Sequence, residues 1–552
     1  MAKVFALLVC PALLVSCVAA EISPTEPWKT DTELVTPLTS EPDTIDPQRL
    51  AFTNEQSVAA MIFEPLLTWD PATLKLMPAA ARTLPRVSPD GRVYTYTLRV
   101  GLTYSDGLAL RAERFVDAFL RLCDPRVAAE YAFLAYPIEG CEAWNTMDPK
   151  RVTAEEVARA GDSVGVRAVD ELTIEFRLRS PLASFPQTTA LVVGAPIRIE
   201  EVAGWTDAMR TVKDARRYVG NGPFALKEWL PGDRLVFERN ERYRSPVRVA
   251  RWTKRIVPDA DTQRVLYDAG RIDAVDVAPR DAADRDALLA RDDMHRVMGP
   301  CTIYIGFNTA LPPFDDQRVR LAFAKALDKQ NYSDVVAKRG HIAFSLVPHA
   351  QPGHAHDDRI QAFDAEEARA LLASSKYGAP ANGLLGGVPI RFPFQPTLAA
   401  RELALWAADQ WQRNLGVRVT PQILPSGWGS SLVKRPEAQP QLYRLAWCED
   451  YPDGQDWYTT VFHSASTVTR TGFRDARFDD LVTRADREHD PIARQDMYEE
   501  ASRVLSRDAP GAWLMWTEHW WLVRPELRGY ELSSFDWEFS QFALARIVGV
   551  RR

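Results

Sequence analysis

A tryptophan and a carboxylate lie close together near the end of one predicted strand. Residues 441–447 alternate in polarity and run into a turn at Pro452-Asp453-Gly454, so we expect Trp447, Cys448 and Asp450 at the rim of a sheet. Open α/β sheets bind ligands at such rims. An aromatic ring beside a carboxylate suits a ligand with an ammonium group, through cation–π attraction and charge-assisted hydrogen bonds. The alternative is a buried tryptophan beside a turn whose aspartates only cap backbone amides.

One loop carries a candidate metal site. His349, His354 and His356 account for three of the eight histidines, and Asp358 follows them. The prolines and glycine around them predict a loop, where the geometry of metal ligands is poorly fixed. We therefore interpret these side chains as surface histidines and predict no metal.

Catalytic motifs are absent from the sequence. It has no Gly-x-Ser-x-Gly elbow, no P-loop and no dinucleotide-binding glycine fingerprint. The acid pairs Asp315-Asp316 and Asp479-Asp480 stand at predicted helix starts, where the helix dipole accounts for them. We predict that the protein is not an enzyme and has no cofactor.

The first twenty residues resemble an export signal. A basic residue, Lys3, precedes an apolar stretch over 4–15 that is too short to span a bilayer. Residues 14–17, Leu-Val-Ser-Cys, resemble a lipobox, which would make Cys17 the lipid-modified first residue of the mature chain. Residues 18–20, Val-Ala-Ala, alternatively resemble an ordinary signal-peptidase site. Both interpretations place the protein outside the cytoplasm, and we favour the lipobox.

The remaining cysteines fit an oxidising compartment. Cys123, Cys141, Cys301 and Cys448 follow the leader, and an even number in an exported chain predicts two disulfides. Three connectivities are possible. Pairing Cys123 with Cys141 would close a short loop, and pairing Cys301 with Cys448 would join two distant segments at the predicted rim.

Length and charge restrict the class of protein. At 552 residues the chain is expected to form roughly two to four domains. The net charge is −7 and no basic run is present, which argues against nucleic-acid binding. No segment after the leader has 18 uninterrupted apolar residues, so we predict no membrane-spanning helix.

Strands and helices are mixed along the whole chain, which predicts an α/β protein of the mixed α+β kind. Alternating polarity predicts strands at 33–36, 92–99, 172–178, 301–308, 417–424 and 512–523, and a hairpin over 220–239. Apolar spacing near 3.6 residues predicts helices at 56–67, 111–122, 315–327, 365–372, 398–415 and 493–506.

Nine stretches together resemble one family, the extracytoplasmic peptide-binding proteins of ABC importers (bacterial solute-binding family 5, the oligopeptide- and dipeptide-binding type). They occur in the family's order and span residues 33–530. The stretches are 41–47 (EPDTIDP), 62–67 (IFEPLL), 104–107 (YSDG), 219–229 (VGNGPFALKEW), 306–308 (GFN), 312–320 (PPFDDQRVR), 447–452 (WCEDYP), 471–473 (TGF) and 478–481 (FDDL).

The resemblance implies a two-lobed periplasmic-binding fold of type II with an extra inserted domain. After the signal peptide at 1–20, we expect domain I to combine 21–66, 196–300 and 519–552. The inserted domain II would cover 67–195, and domain III, the second lobe, 301–518. A ligand would be enclosed between the lobes.

The resemblance also implies roles for individual residues. Asp450 matches the aspartate that pairs with a peptide α-ammonium, and Trp447 matches a tryptophan beside it. Arg444 lies where members can place a base near the peptide carboxylate, and Tyr451 belongs to the same stretch. Cys301 and Cys448 match a disulfide-forming pair, which favours that connectivity.

Glu449 departs from the family pattern, which often has alanine at this position. The extra acid either favours a basic ligand or faces solvent.

The expected function is capture of short peptides and their delivery to a membrane permease with its ATPase subunits. We expect a monomer, periplasmic or otherwise extracytoplasmic, that is anchored to the membrane if Cys17 is acylated. Alternative cargoes within the same fold are a nickel chelate, haem, an opine or an oligosaccharide. A sensor or periplasmic chaperone is a rival from another class, and an enzyme is a third.

Overall fold

The computed structural model describes residues 32–202, 218–424, 439–466, 471–527, 529–530 and 532–535. The predicted leader, with Cys17, lies outside these residues. Strands in the described part are β1 (Thr32–Leu38), β2 (Leu67–Trp69), β3 (Leu76–Pro78), β4 (Arg86–Val87), β5 (Val93–Thr97), β6 (Val166–Asp170), β7 (Thr173–Arg177), β8 (Phe224–Leu230), β9 (Arg234–Arg239), β10 (Val249–Ile256), β11 (Ala274–Asp276), β12 (Met294–Phe307), β13 (His341–Ile342), β14 (Ile390–Phe394), β15 (Val419–Ile423), β16 (Leu442–Cys448) and β17 (Gly511–Val523).

Helices alternate with these strands, as the mixed pattern predicted. Short 3₁₀ helices cover Ala132–Ala135 and Val192–Gly194, and a π-helix covers Tyr332–Ala337. The α-helices are α1 (Thr53–Ile62), α2 (Ala112–Cys123), α3 (Cys141–Asn145), α4 (Ala154–Gly161), α5 (Phe185–Thr188), α6 (Ile199–Val202), α7 (Ala260–Asp268), α8 (Ala282–Leu289), α9 (Gln317–Lys325), α10 (Lys329–Asn331), α11 (Ala365–Ser374), α12 (Leu398–Leu415), α13 (Gly454–Phe462), α14 (Ala476–Arg487) and α15 (Pro491–Asp508).

The first sheet has the strand order β1-β10-β9-β8. The predicted hairpin over 220–239 is confirmed, because β8 and β9 pair antiparallel across Pro231-Gly232-Asp233. β1 does not stop before Pro37 but continues to Leu38. Proline is tolerated there because β1 is an edge strand that, among the described strands, pairs with β10 alone.

Helix α1 is shorter than the pattern predicted. It ends at Ile62 rather than Leu67, because Pro65 disfavours a helical conformation at Glu64. Two glycines then let the chain pass directly beneath this helix end. A Cβ on Gly220 would lie 2.0 Å from the Ile62 carbonyl oxygen, and one on Gly222 would lie 2.6 Å from the Ile62 carbonyl carbon. These contacts fix α1 against the first sheet.

A second sheet, β4-β5-β7-β6, lies in the region predicted as domain II. Helix α2 packs on it through a buried face that includes Phe115, Phe119 and Leu122. The disulfide Cys123–Cys141 joins the end of α2 to the start of α3. One continuous core contains Leu34, Tyr94 and Leu226, so it crosses the predicted boundaries at 66/67 and 195/196. Those boundaries stay a prediction.

The third sheet has the order β11-β17-β12-β16, and β13 pairs with β17. Its two faces support separate cores: Ile305 and Leu514 belong to one, Tyr304 and Trp513 to the other. Helices α9, α11 and α12 cover the first face, and α13, α14 and α15 cover the second. The sheet is therefore sandwiched between two helical layers.

Strands β12 and β17 are the longest, with 14 and 13 residues. β17 begins in the cores of the third sheet and ends at Val523, which belongs to the core shared by the first two sheets. The register between β12 and β17 shifts between Met298 and Thr302. The molecule thus has two halves, one built on the first and second sheets and the other on the third sheet. Strands β12 and β17 connect these halves, and β12 is irregular at the register shift. Among the described helices, none is long and apolar enough to cross a membrane.

Candidate functional site

Strand β16 forms one edge of the third sheet. It pairs with β12 on one side and, among the described strands, with none on the other. Tyr443 and Leu445 turn into a buried core, whereas Arg444 and Ala446 are exposed. An extended chain could pair with such an edge.

A disulfide fixes the end of this strand. Cys301 of β12 and Cys448 of β16 stand opposite each other in the register and are covalently joined. This is the pairing that the resemblance implied. The residues that follow, Glu449 and Asp450, are therefore tied to β12 as well as to their own strand.

The turn after β16 is also the start of helix α13. Asp453 caps the helix by accepting a hydrogen bond from the backbone N–H of Gln455 at 2.9 Å. Arg494 of α15 grips the same carboxylate with two hydrogen bonds of 2.6 Å. Asp453 and Arg494 are both largely buried, so their ion pair holds the turn against helix α15.

Asp450 and Asp456 form the centre of the site. Asp450 is partly exposed, whereas Asp456 is fully buried on the first turn of α13. Asp456 Oδ2 accepts the backbone N–H of Asp450 at 2.9 Å and the indole N–H of Trp447 at 3.1 Å. The tryptophan and the carboxylate predicted at this rim, Trp447 and Asp450, are therefore brought together by Asp456.

Glu449 does not face solvent, which was one of the two expectations for it. Its side chain is 4% exposed, and Oε2 accepts the indole N–H of Trp457 at 2.8 Å. Because Trp457 belongs to the core beneath β16, this hydrogen bond draws Glu449 inward. Its other oxygen, Oε1, is buried without a hydrogen-bond partner among the described residues, as is Oδ1 of Asp456.

The two aromatic residues of the stretch have different surroundings. Trp447 is partly exposed and packs on the core of the third sheet. Tyr451 is 5% exposed and joins the core shared by the first and second sheets; its hydroxyl hydrogen-bonds to the Gln455 amide oxygen. Tyr451 therefore fastens the loop to the opposite half of the molecule.

That opposite half also contributes polar groups. Tyr131 precedes the 3₁₀ helix Ala132–Ala135, and its hydroxyl accepts a hydrogen bond from Gln56 Nε2 of α1 at 3.3 Å. The same hydroxyl faces Asp450, and its interaction with that carboxyl lowers the pKa of Asp450. Asp450 thus lies between the two halves.

Burial dominates the electrostatics of the three acids. It raises the pKa of Asp450 to about 7, and the Tyr131 hydroxyl only partly opposes this rise. Burial and the Asp450 charge raise the pKa of Asp456 well above its ordinary value, and burial does the same to Glu449. In the part of the chain that the structure describes, no Lys, Arg or His side chain forms an ion pair with any of the three acids. The site is suited to a cation.

A cavity of about 260 Å³ lies beside the first turns of α1, and none of the three acids lines it. Thr53, Asn54 and Ser57 line it from α1, and His519 and Trp521 line it from β17. Its one acid, Asp276, is paired with His519 at 3.0 Å and with Arg339 at 3.1 Å, which leaves the cavity without an excess charge from that carboxylate.

The histidine loop is not entirely on the surface, contrary to the prediction. His354 is 7% exposed, with Nδ1 2.7 Å from the Val347 carbonyl oxygen, because the loop folds back under α15. Asp358 is also buried and accepts hydrogen bonds from Ser502 and Ser506. His349 and His356 are exposed as expected. Among the described residues no three potential ligands are placed to hold a metal.

Sequence reasoning missed Asp456, Tyr131 and Gln56. Asp456 had a usable signal, because Asp453-Gly454 before an amphipathic run is typical of a capped helix start. Asp456 would then be expected on the first turn of that helix, close to the rim. Tyr131 and Gln56 lie more than 300 residues before Asp450, and no local pattern links them to it.

Comparison with known proteins reveals a family match. The model of the bacterial extracellular solute-binding proteins, family 5, matches residues 75–468. The periplasmic murein peptide-binding protein MppA of Escherichia coli is 27% identical over 545 residues, which cover 95% of this chain and 96% of that protein.

Two solved structures share the fold. The Escherichia coli murein tripeptide-binding protein MppA superposes with a TM-score of 0.76 at 24% identity, covering 95% of this chain and all of that chain. Haemophilus influenzae OppA in complex with the peptide RPPGFSPFR superposes with a TM-score of 0.74 at 22% identity, again over 95% and 100% of the two chains. The two-lobed, mixed α/β architecture predicted from the sequence is confirmed.

Proposed function

The chain belongs to the bacterial extracellular solute-binding proteins of family 5, and from this premise we propose that it captures short peptides between its two lobes for an ABC permease. The relatives described above are binding proteins named for peptides, and one of the similar structures holds a peptide. A role in binding rather than catalysis agrees with the site, which presents charge and a strand edge.

The observation that carries this proposal is the carboxylate of Asp450. It is partly exposed at the end of β16, lies between the lobes, and forms no ion pair with a described base. A peptide α-ammonium supplies the missing positive charge and up to three hydrogen-bond donors. Trp447 lies beside the acid and adds an aromatic face to the same position.

The edge of β16 supplies the rest of the binding mode. A peptide that pairs with this strand is held by its backbone, so its side chains need little specific recognition. Arg444 is exposed on the same strand, six residues before Asp450, and would meet the peptide carboxylate. Six residues of extended chain span at most about 20 Å, so both termini can be held only in peptides of up to about six residues.

Tyr451 has an indirect role in this scheme, because it is buried and shapes the wall of the site by packing.

Export and anchoring complete the proposal. The leader with Cys17 would place the protein outside the cytoplasm and, if acylated, tether it to a membrane surface beside the permease and its ATPase subunits. Cleavage after Ala20 would release the same binding protein without a lipid. Mass spectrometry of the mature amino terminus distinguishes the two.

Calorimetry with a tetrapeptide and its N-acetylated form tests peptide capture. We expect the free peptide to bind and both acetylation and Asp450→Asn to weaken binding at least tenfold, because each removes one charge of the central pair. Asp480→Asn is the matched control, since that acid is exposed on α14 and forms an ion pair with Arg484 on the same helix. Binding that ignores acetylation contradicts the role of Asp450. No binding by any di- to hexapeptide moves the cargo to a non-peptide solute.

A further inference from the structure

Three acids in one short segment lack a positive partner, although a fourth has one. Asp453 is neutralised by Arg494 through two hydrogen bonds. Glu449, Asp450 and Asp456 have no ion pair with any base in the described part of the protein. One α-ammonium balances one negative charge, so the site carries more acid than the proposed cargo can neutralise.

We propose that Glu449, Asp450 and Asp456 hold protons in the ligand-free protein and that binding of the cargo's ammonium group releases about one proton from this group of acids, while the others stay neutral. Peptide capture is then an exchange of a proton for a cation. This inference rests on the proposed function, because the cation is the amino terminus of a captured peptide.

The geometry shows where such protons reside. Glu449 Oε1 and Asp456 Oδ1 are both buried and have no hydrogen-bond partner among the described residues. The other oxygen of each acid accepts an indole N–H, from Trp457 and Trp447 respectively. A carboxylate in this position leaves a charged oxygen unsolvated, whereas a carboxyl group that carries its proton there is neutral.

The groups around the cluster come from every element packed against it. The opposite lobe presents Tyr131 and Gln56, which are neutral. The loop between β16 and α13 presents Tyr451, which is neutral, helix α13 presents Trp457, and β16 presents Trp447.

The charged groups nearby belong to one ion pair. Asp453 precedes α13, and its charge raises the pKa of Asp456 and Glu449 further. Arg494 of α15 is committed to Asp453 and also donates to Tyr498 and to the Ala485 carbonyl. The cation that discharges the cluster must therefore come from the ligand.

The surroundings of the three acids determine how the peptide affinity changes with pH. Burial raises the pKa of Asp450 to about 7, so the protonated form dominates as the pH falls below that value. A protonated Asp450 cannot pair with an ammonium group, and affinity should fall by up to tenfold for each pH unit and each proton exchanged. Above about pH 8 the peptide's own amino group loses its charge, and affinity falls again.

Calorimetry of one tetrapeptide at pH 6 in buffers with different ionisation enthalpies measures the proton count directly. We expect release of about one proton or more per bound peptide. Asp456→Asn and Glu449→Gln should each lower that count, and Asp480→Asn should leave it unchanged. Acetylation-sensitive binding with no proton release overturns the inference but leaves peptide capture intact.

A second measurement needs neither cargo nor a variant that folds poorly. Carbon-13 NMR titration of the ligand-free protein, labelled at aspartate and glutamate carboxyls, should show carboxyl groups that titrate above pH 6. The absence of any such titration would also overturn the inference, whatever the protein binds.

Discussion

Asp453 and Asp456 lie three residues apart and have opposite electrostatic surroundings. Asp453 meets a buried arginine, which stabilises its charge and fixes the turn. Asp456 meets an indole N–H and a backbone amide, which satisfy one oxygen but supply no positive charge. Asp453 therefore belongs to a structural ion pair. Asp456 has no positive partner among the described residues, so its charge can respond to a ligand.

Asp456→Asn should stabilise the ligand-free protein at pH 8 more than at pH 5. Because folding raises the pKa of Asp456, its contribution to stability is complete below its unfolded pKa and is lost as the pH rises through the folded value. Asparagine keeps both hydrogen bonds without the charge, for a gain of about 1 to 2 kcal/mol at pH 8. Denaturant unfolding at the two pH values checks this, with Asp480→Asn as the control. A variant that is less stable than the parent protein at pH 8 contradicts the prediction.

Single residues were predictable where their chemistry is local. Asp450 and Trp447 follow from an aromatic and an acid at the end of a strand, and the structure brings them together through Asp456. The burial of Glu449 was not predictable, because it depends on Trp457 of a helix that the sequence pattern did not reveal. His354 is similar, since its burial depends on α15, which lies well over a hundred residues later.

Strand β16 owes its position to two constraints at different places. Seven consecutive register pairs with β12 set its direction, and the Cys301–Cys448 disulfide clamps its last residue. Backbone pairing alone leaves strand ends free to fray, whereas the covalent bond holds the end that leads into the loop with Asp450. The disulfide therefore contributes more to the position of the loop after β16 than to the pairing of the sheet.

The two disulfides should differ in what their removal costs. In the chain-entropy model a bond between residues 147 apart contributes about 5 kcal/mol to stability, and one between residues 18 apart about 3 kcal/mol. The double variant Cys301→Ser/Cys448→Ser should therefore unfold at lower denaturant than Cys123→Ser/Cys141→Ser. Equilibrium unfolding of both double variants measures the difference. The reverse order would show that native-state contacts, not loop length, control the effect.

Elements with strict periodicity were predicted closely, and their ends were not. Helix α12 has the predicted bounds, since Thr397 caps it and Gly416 ends it in a left-handed conformation. Strand β12 is longer than predicted, because Met294–Pro300 is stabilised by pairing with β17 rather than by its own sequence pattern. Long-range pairing of this kind leaves no local signal.

The two halves of the molecule meet at few described polar points. Gln56 donates to the Tyr131 hydroxyl, which faces Asp450, and the backbone N–H of Ala183 donates to the Asp486 carbonyl at 2.7 Å. Tyr451 packs into the core of the opposite half. At the scale of the whole molecule, closure brings a phenol and a carboxylate together at the place where the cargo's amino terminus is proposed to bind.

Tyr131→Phe should weaken peptide binding by about 5- to 30-fold with little change in stability. The hydroxyl faces Asp450 across the lobes, and a hydrogen bond from it to the charged carboxylate of the bound state is worth about 1 to 2 kcal/mol. Tyr136→Phe is the matched control, because its hydroxyl lies at the end of the same 3₁₀ helix and bonds to Asn145. Calorimetry gives the affinities, and small-angle X-ray scattering shows whether the bound variant remains more open. Equal affinity for the two variants contradicts the prediction.

The two-lobed architecture was predictable from the order of the family-like stretches, but the contacts between lobes were not. A sequence shows that Tyr131 and Asp450 exist, and only the fold shows that they face each other. For this reason the domain boundaries at 66/67 and 195/196 stay predictions: the core that spans them contains Leu34, Tyr94 and Leu226 without interruption.

The irregular stretch of β12 between Met298 and Thr302 also has a mechanical consequence. Cys301 lies within this stretch and is disulfide-bonded to Cys448, beside the loop that carries Asp450. A change in the twist of this stretch would therefore move that loop as well. We expect a cargo bound to Asp450 to resist this change of twist. The stiffness of the stretch would then influence the rate at which the protein reopens and releases the cargo.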